Sequence, residues 1–196
     1  VPVGDRLVVR PDWVVADPAH IDRIEIVLDA ASAFGSGSHP TTRLCLAVLE
    51  RLVAQLPATS RVLDVGCGTG VLGTAALVLG ADSLVAIDVD PAAVDATRRT
   101  LVLNGVAARS VEVSQRTVAD VADEHGPFDL VLANLLIPII EELGPALSAA
   151  LAPGGSKIWL ESDGSDGQLL AMAAGGGALL IATSGAGGSQ VLLEVE

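Results

Sequence analysis

The chain has 196 residues, 51% of them apolar, with 11 basic against 24 acidic side chains and a formal net charge of −13. That length suits one self-sufficient domain, and the charge excludes a nucleic-acid binder held by phosphate contacts and argues against docking on anionic lipid. Cys45 and Cys67 are the only cysteines, which excludes a disulfide scaffold and suits a reducing cytoplasm, and no apolar run reaches a membrane span or follows a basic segment as in a signal peptide.

Residues 1–33 form an N-terminal extension with short β-type runs at Leu7–Arg10 and Ile24–Leu28. Phe34-Gly-Ser-Gly-Ser-His-Pro-Thr-Thr42 is a Gly/Ser loop, with Pro40 suited to the first turn of the apolar-periodic helix that follows. Val62–Val65 reads as a buried strand, Val71–Leu79 as a helix closed by Gly80, and Leu84–Asp88 as a second strand. Pro91 opens a helix that stops near Asn104-Gly105, and Val111–Val113 is a short strand. Phe128–Asn134 is a further strand, followed by a helix around Pro138–Leu151 and a strand at Lys157–Leu160. Strands alternating with helices predict an α/β fold, a doubly wound, mostly parallel Rossmann-like sheet covered on both faces. The tail predicts a short helix near Gln168–Ala173. It then predicts an antiparallel hairpin of Leu179–Ala182 with Val191–Val195 on the sheet edge.

Chemistry concentrates at Val62-Leu-Asp64-Val-Gly66-Cys-Gly68-Thr-Gly70. A buried strand runs there into a glycine turn and then a helix, at the strand end where doubly wound sheets bind ligands. Asp88, about 20 residues on, ends the next strand, where a carboxylate accepts ribose hydroxyls. A dinucleotide fingerprint would place a third glycine at position 71, which is Val71. The spacing instead reads D-x-G-x-G-x-G, and this resembles the class I S-adenosylmethionine (SAM) methyltransferases, whose cofactor has no pyrophosphate.

The resemblance narrows at two other places. Phe34–Thr42 resembles the F-G-T-G-x-H-x-T-T loop of the PrmA family, bacterial methyltransferases of amino groups on a large-subunit ribosomal protein. Phe128-Asp-Leu-Val-Leu-Ala-Asn134-Leu-Leu resembles that family's V-A-N-I-L motif, and Ala-Pro153-Gly-Gly155 its later turn. The likeness runs over about residues 34–164, so the SAM-binding domain is expected over 34–196. It implies SAM as cofactor, S-adenosylhomocysteine as product and SAM-contacting positions at Thr42, Gly66, Asp88 and Asn134; Phe34, Asp64 and Gly68 are the further candidate cofactor contacts. Glycines at 35 and 37 as hinges, Phe34 as an apolar cover and the Thr41 and Thr42 hydroxyls at a helix start make Phe34–Thr42 an expected lid over the cofactor. The family carries a separate substrate-capturing N-terminal domain, and the 33 residues ahead of Phe34 are too few for it. The resemblance therefore implies N-methylation with either a protein amine or a small metabolite as acceptor.

Asn134 is the candidate catalytic residue, offering its amide oxygen to an amine N–H or bonding backbone in the turn. His39 is read as a backbone or lid contact, Cys67 as a small buried side chain beside the cofactor and Asp90 as a helix cap. His20 and His125 are read as surface residues without acidic partners at ligand spacing, and no metal site is expected. Asp120, Asp123 and Glu124 read as a solvated face. Base methylation is disfavoured because Asn134 is followed by Leu135-Leu136-Ile137 rather than by a stacking aromatic. The alternatives are a nucleotide-dependent oxidoreductase and a non-catalytic SAM-binding module.

Overall fold

The computed structural model describes residues 1–29, 39–106, 110–153, 156–162 and 178–184. The first part of the chain forms three strands, β1 (Pro2–Val3), β2 (Leu7–Pro11) and β3 (Ile24–Leu28), in the order β1-β2-β3. β1 runs antiparallel to β2, and β3 runs parallel to it. A 3-10 turn, Pro18–His20, interrupts the β2–β3 connection, with Asp17 as its cap. Helix α1 (Pro40–Val53) follows, with Pro40 in its first turn and the His39 ring nitrogen accepting from the Thr41 N–H.

Next come β4 (Arg61–Val65), α2 (Val71–Leu79), β5 (Ser83–Ile87), α3 (Pro91–Leu103) and β6 (Ser110–Ser114). The chain continues through α4 (Val118–His125), β7 (Leu130–Asn134), α5 (Ile137–Ala149), β8 (Ser156–Ser162) and β9 (Ala178–Ser184). The strands form one six-stranded sheet in the order β6-β5-β4-β7-β9-β8, parallel throughout. β5 and β6 build outward from β4 on one side, and β7 returns to its other side. The order reverses between β4 and β7, and the carboxyl ends of strands at such a reversal leave a crevice.

Strand alternation sends successive side chains to opposite faces, and β4 uses both. Val62 joins a core with Leu84, Ala86, Leu130 and Leu132 that takes in α1 and α2. Leu63 and Val65 join a second core with Val85, Ile87, Val131 and Ala133, closed by α4 and α5. Two-sided burial explains why these strands read as continuous apolar runs. The three-stranded N-terminal sheet shares the first core through Val3, Leu7, Val9, Ile26 and Leu28.

Two side chains fasten that sheet. Glu50 on α1 is buried and accepts from the N–H groups of Asp5 (3.0 Å), Arg6 (3.0 Å) and Leu7 (2.8 Å). Asn104, at the end of α3, accepts from Val27 N–H at 2.9 Å and donates to Val27 C=O at 2.7 Å. Its amide thus pairs with the free edge of β3 as a neighbouring strand would.

The tail departs from expectation. Leu179–Ala182 lies in β9, which sits inside the sheet and is parallel to both neighbours, whereas an edge hairpin strand was expected. The expected partner Val191–Val195, and the helix near Gln168–Ala173, lie outside the described residues. Helix α4 had no counterpart in the sequence reading. Its Thr117–Asp120 capping box is the signal that would have found it. No helix among the described residues is long and apolar enough to cross a membrane.

Candidate active site

The glycine turn after β4 exists because the chain must reverse from strand to helix within five residues. Gly66, Gly68 and Gly70 all adopt positive φ, at 69°, 55° and 76°. A Cβ on Gly66 would lie 2.3 Å from Leu135, and one on Gly70 3.0 Å from the Thr97 backbone. A Cβ on Gly68 would meet nothing within 4 Å. Gly66 and Gly70 are therefore packed positions, whereas Gly68 borders open space.

That space is a cleft of about 760 Å³ at the carboxyl ends of β4, β5 and β7, within the range of small-molecule sites. Asp64, Gly66, Gly68 and Asp88 line it from the first two strands, and Thr42 and Asn134 from α1 and β7. The sequence-predicted residues thus converge, except Phe34, which lies outside the described residues together with the rest of the loop up to Ser38.

Asp88 sits directly after β5. Its carboxylate accepts from Gly68 N–H and from Asp90 N–H, each at 3.0 Å. These two bonds fix the carboxylate and leave further lone pairs for a ligand, since a carboxylate offers about four acceptor sites. Asp90 caps α3 by accepting from Ala92 N–H at 2.8 Å, as expected.

Asp64 is 2% exposed. It accepts from Gly73 N–H at 2.9 Å. Burial pushes its carboxyl up to about 7, with the negative charge of Asp88 adding to the shift and the Gly73 N–H opposing it. Cys67 is buried at the cleft wall, and its sulfur accepts from the Thr97 hydroxyl at 3.2 Å. Burial pushes its thiol up to about 12, so it is a thiol and no nucleophile at neutral pH.

Across the cleft, the Asn134 side-chain amide donates from Nδ2 to Thr42 Oγ1 at 3.1 Å. His39 caps α1, its Nδ1 lying 2.7 Å from Thr41 Oγ1. Beyond Asn134 the wall is apolar, formed by Leu135, Leu136, Ile139 and Leu143. The acidic groups on the cleft are Asp64, Asp88 and Asp90, against Arg116, and Arg116 is committed to Glu124 at 2.7 Å and Glu112 at 3.5 Å. The other histidines correct the sequence reading: His125 Nε2 lies 3.1 Å from Glu112, and His20 Nε2 4.0 Å from Asp17. No cluster suited to a metal ion occurs among the described residues.

A parallel sheet reversing between β4 and β7, with a glycine turn and a fixed carboxylate at the crevice, defines the class I methyltransferase fold. A SAM-dependent methyltransferase from Agrobacterium tumefaciens shares that fold, with a TM-score of 0.52 at 17% identity over 61% of this chain and 44% of that one. The family model of the ribosomal protein L11 methyltransferases, PrmA, matches residues 1–160, and the chain belongs to that family. A ribosomal protein L11 methyltransferase of Prochlorococcus marinus is 45% identical over 146 residues, 74% of this chain and 47% of that protein. Its counterpart in Parasynechococcus marenigrum is 47% identical over 156 residues, 79% and 53% of the two chains. The crystal structure of ribosomal protein L11 methylase from Lactobacillus delbrueckii subsp. bulgaricus matches with a TM-score of 0.65 at 34% identity, covering 77% of this chain and 74% of that one. The chain spans about half the length of the curated relatives it matches.

Proposed function

We propose that this chain transfers a methyl group from SAM to an amine nitrogen of a protein, acting in the cytoplasm. The carboxylate of Asp88, fixed by two backbone N–H groups on the rim of an open glycine turn, is the observation that carries the reading. Its spare lone pairs suit the two ribose hydroxyls of a nucleoside cofactor. The turn at Gly68 is an open cradle that a Cβ would begin to fill. Asp88 and Asp90 beside the single, committed guanidinium of Arg116 bias the cleft toward negative charge, which suits a cationic sulfonium and disfavours a pyrophosphate. The same charge balance weighs against the nucleotide-dependent oxidoreductase.

When bound, SAM supplies an electrophilic methyl on a sulfonium. The chain has to align an acceptor and deliver it neutral. Lysine has an ordinary pKa near 10.4, and an apolar surround lowers it. The wall of Leu135, Leu136, Ile139 and Leu143 provides that surround. The Thr42 bond engages the amide nitrogen of Asn134 and leaves Oδ1 to accept from an amine N–H, aiming the nitrogen lone pair into the cleft. That N–H bond strengthens as the nitrogen gains positive charge, so it favours the transition state over the ground state. The relatives are named for ribosomal protein L11, which supports a protein acceptor, and L11 is the one to try first.

Calorimetry with SAM and with NAD, followed by labelled-methyl transfer to purified L11 and to free amino acids, tests this reading. SAM binding with label in L11 is expected. NAD binding in place of SAM would sink it, and SAM binding without transfer to any amine would leave a non-catalytic binding module.

A further inference from the structure

The connection between β2 and β3 exposes apolar side chains that no element among the described residues covers. Trp13 is 68% exposed, Val14 42% and Val15 88%. Of the two aromatic side chains described, Phe128 is buried and Trp13 faces solvent. Scattered exposed apolar residues are ordinary, but three in succession led by a tryptophan are not.

The loop carrying them is held in place. Val14 N–H donates to Pro11 C=O at 3.1 Å, and Asp12 N–H to Leu28 C=O at 3.0 Å. Arg10 donates from Nη1 to Val14 C=O at 2.7 Å and grips Glu25 with two bonds of 2.7 and 2.8 Å. A tryptophan on a braced backbone loses little freedom when a partner covers it, which is how interface anchors reach high affinity. Arg10 and Glu25 thus support a surface whose apolar tip faces solvent.

Position and charge indicate the partner. Val27 is bonded to Asn104, and Asp29 to Thr100 and Arg99, so β3 runs back along α3 toward the helix N-terminus. Asp90 and Ala93 at that N-terminus line the cleft. Two helical turns separate Thr100 from Ala93, about 10 Å. Asp12 N–H is bonded to Leu28 C=O, so Trp13 lies at the end of β3 that points toward the N-terminal half of α3. Asp12 and Asp17 flank the apolar residues and are exposed. An apolar tip between carboxylates, on a chain of net charge −13, is complementary to a partner that presents apolar surface among basic groups.

We infer that the Trp13–Val15 loop is a docking surface for the basic protein that carries the acceptor amine, seating it beside the cleft. This rests on the methyltransferase reading above for the identity of the partner. The loop would hold the protein by its body while the cleft receives one amine. Trp13 would therefore govern capture of the protein and leave the transfer step untouched.

The test uses the whole chain, purified ribosomal protein L11 and a short lysine peptide. Trp13→Ala is expected to raise KM for L11 roughly tenfold or more, as for a truncated anchor, with kcat and the peptide rate unchanged. Raising the salt concentration is expected to raise the same KM in the wild type. Fluorescence gives a readout independent of activity: the difference between wild type and Trp13→Ala is expected to shift to the blue when L11 is added. A shift without methyl transfer would uphold the docking surface and remove the methyltransferase reading. Transfer to L11 with the same KM in Trp13→Ala, and no shift, would overturn the docking surface and leave that reading standing. A shift that grows with concentration of this chain alone would make a second copy the occupant and also overturn it.

Discussion

Asn134 and Thr42 stand 92 residues apart in sequence and meet across the cleft through one hydrogen bond of 3.1 Å. The bond joins the carboxyl end of β7 to the first turn of α1, and it decides which end of the Asn134 amide is left for a ligand. Replacing Asn134 with Ala removes an acceptor that strengthens as the amine becomes cationic. The expected result is a fall in kcat of about 10- to 100-fold, the 1.5–3 kcal/mol of a hydrogen bond to a charged group. Thr42→Val frees the amide to turn and should lower kcat by a smaller factor. Steady-state kinetics beside SAM calorimetry decides the matter: a loss confined to SAM affinity would make Asn134 a cofactor contact alone.

Asp88 is expected to carry the ribose. Asp88→Ala should weaken SAM binding by about 1.5–3 kcal/mol, or 10- to 100-fold, because buried hydroxyls lose a charged acceptor. Asp88→Asn keeps one acceptor oxygen and should fall between the two. Equal SAM affinity in wild type and a folded Asp88→Ala variant would rule the assignment out.

The half of the cleft lined by Asp64, Gly66, Gly68 and Asp88 was legible because it is local in sequence. Asp64, Gly66, Gly68 and Asp88 belong to one strand–turn–helix–strand unit whose geometry follows from strand ends and positive φ. The Thr42–Asn134 contact was not legible from pattern, since α1 and β7 meet only through the sheet order, and it was the family resemblance that singled out both residues. Glu50 went unnoticed for a related reason. A carboxylate on an amphipathic helix reads as solvated, and only the turn at Asp5–Leu7, 43 to 45 residues away, explains its burial. β9 was misplaced because a run of apolar β-formers carries no information about which neighbours it pairs with.

The three glycines of the turn should respond differently to substitution. Gly68→Val forces a β-branched residue to φ 55° and aims its side chain into open space. The strain is about 1–2 kcal/mol, a Tm loss of roughly 2–8 °C for a chain this size, with SAM binding abolished. Gly66→Val drives into Leu135, the neighbour of Asn134, and should cost more in Tm while moving that wall. Thermal melts paired with SAM titrations separate the two effects, and undiminished SAM affinity in Gly68→Val would show that the turn does not face the ligand.

Asp64 gives a pH signature. Its carboxyl is raised from an ordinary 3.8 to about 7 by burial, so between those values the folded chain holds a proton that the unfolded chain has released. Stability then falls as pH rises from about 4 to about 7 and is level above that, since the unfolded state binds fewer protons. Asp64→Asn removes the titration while its amide oxygen can still accept from Gly73 N–H. The variant should match the wild type near pH 4 and exceed it at pH 8 by on the order of a few kcal/mol. Denaturant unfolding of both chains across pH 4–8 isolates this residue, because every other titrating group is common to the two. A stability difference that stays constant with pH would mean that Asp64 is already ionised in the folded chain at pH 4, with the Gly73 N–H outweighing its burial.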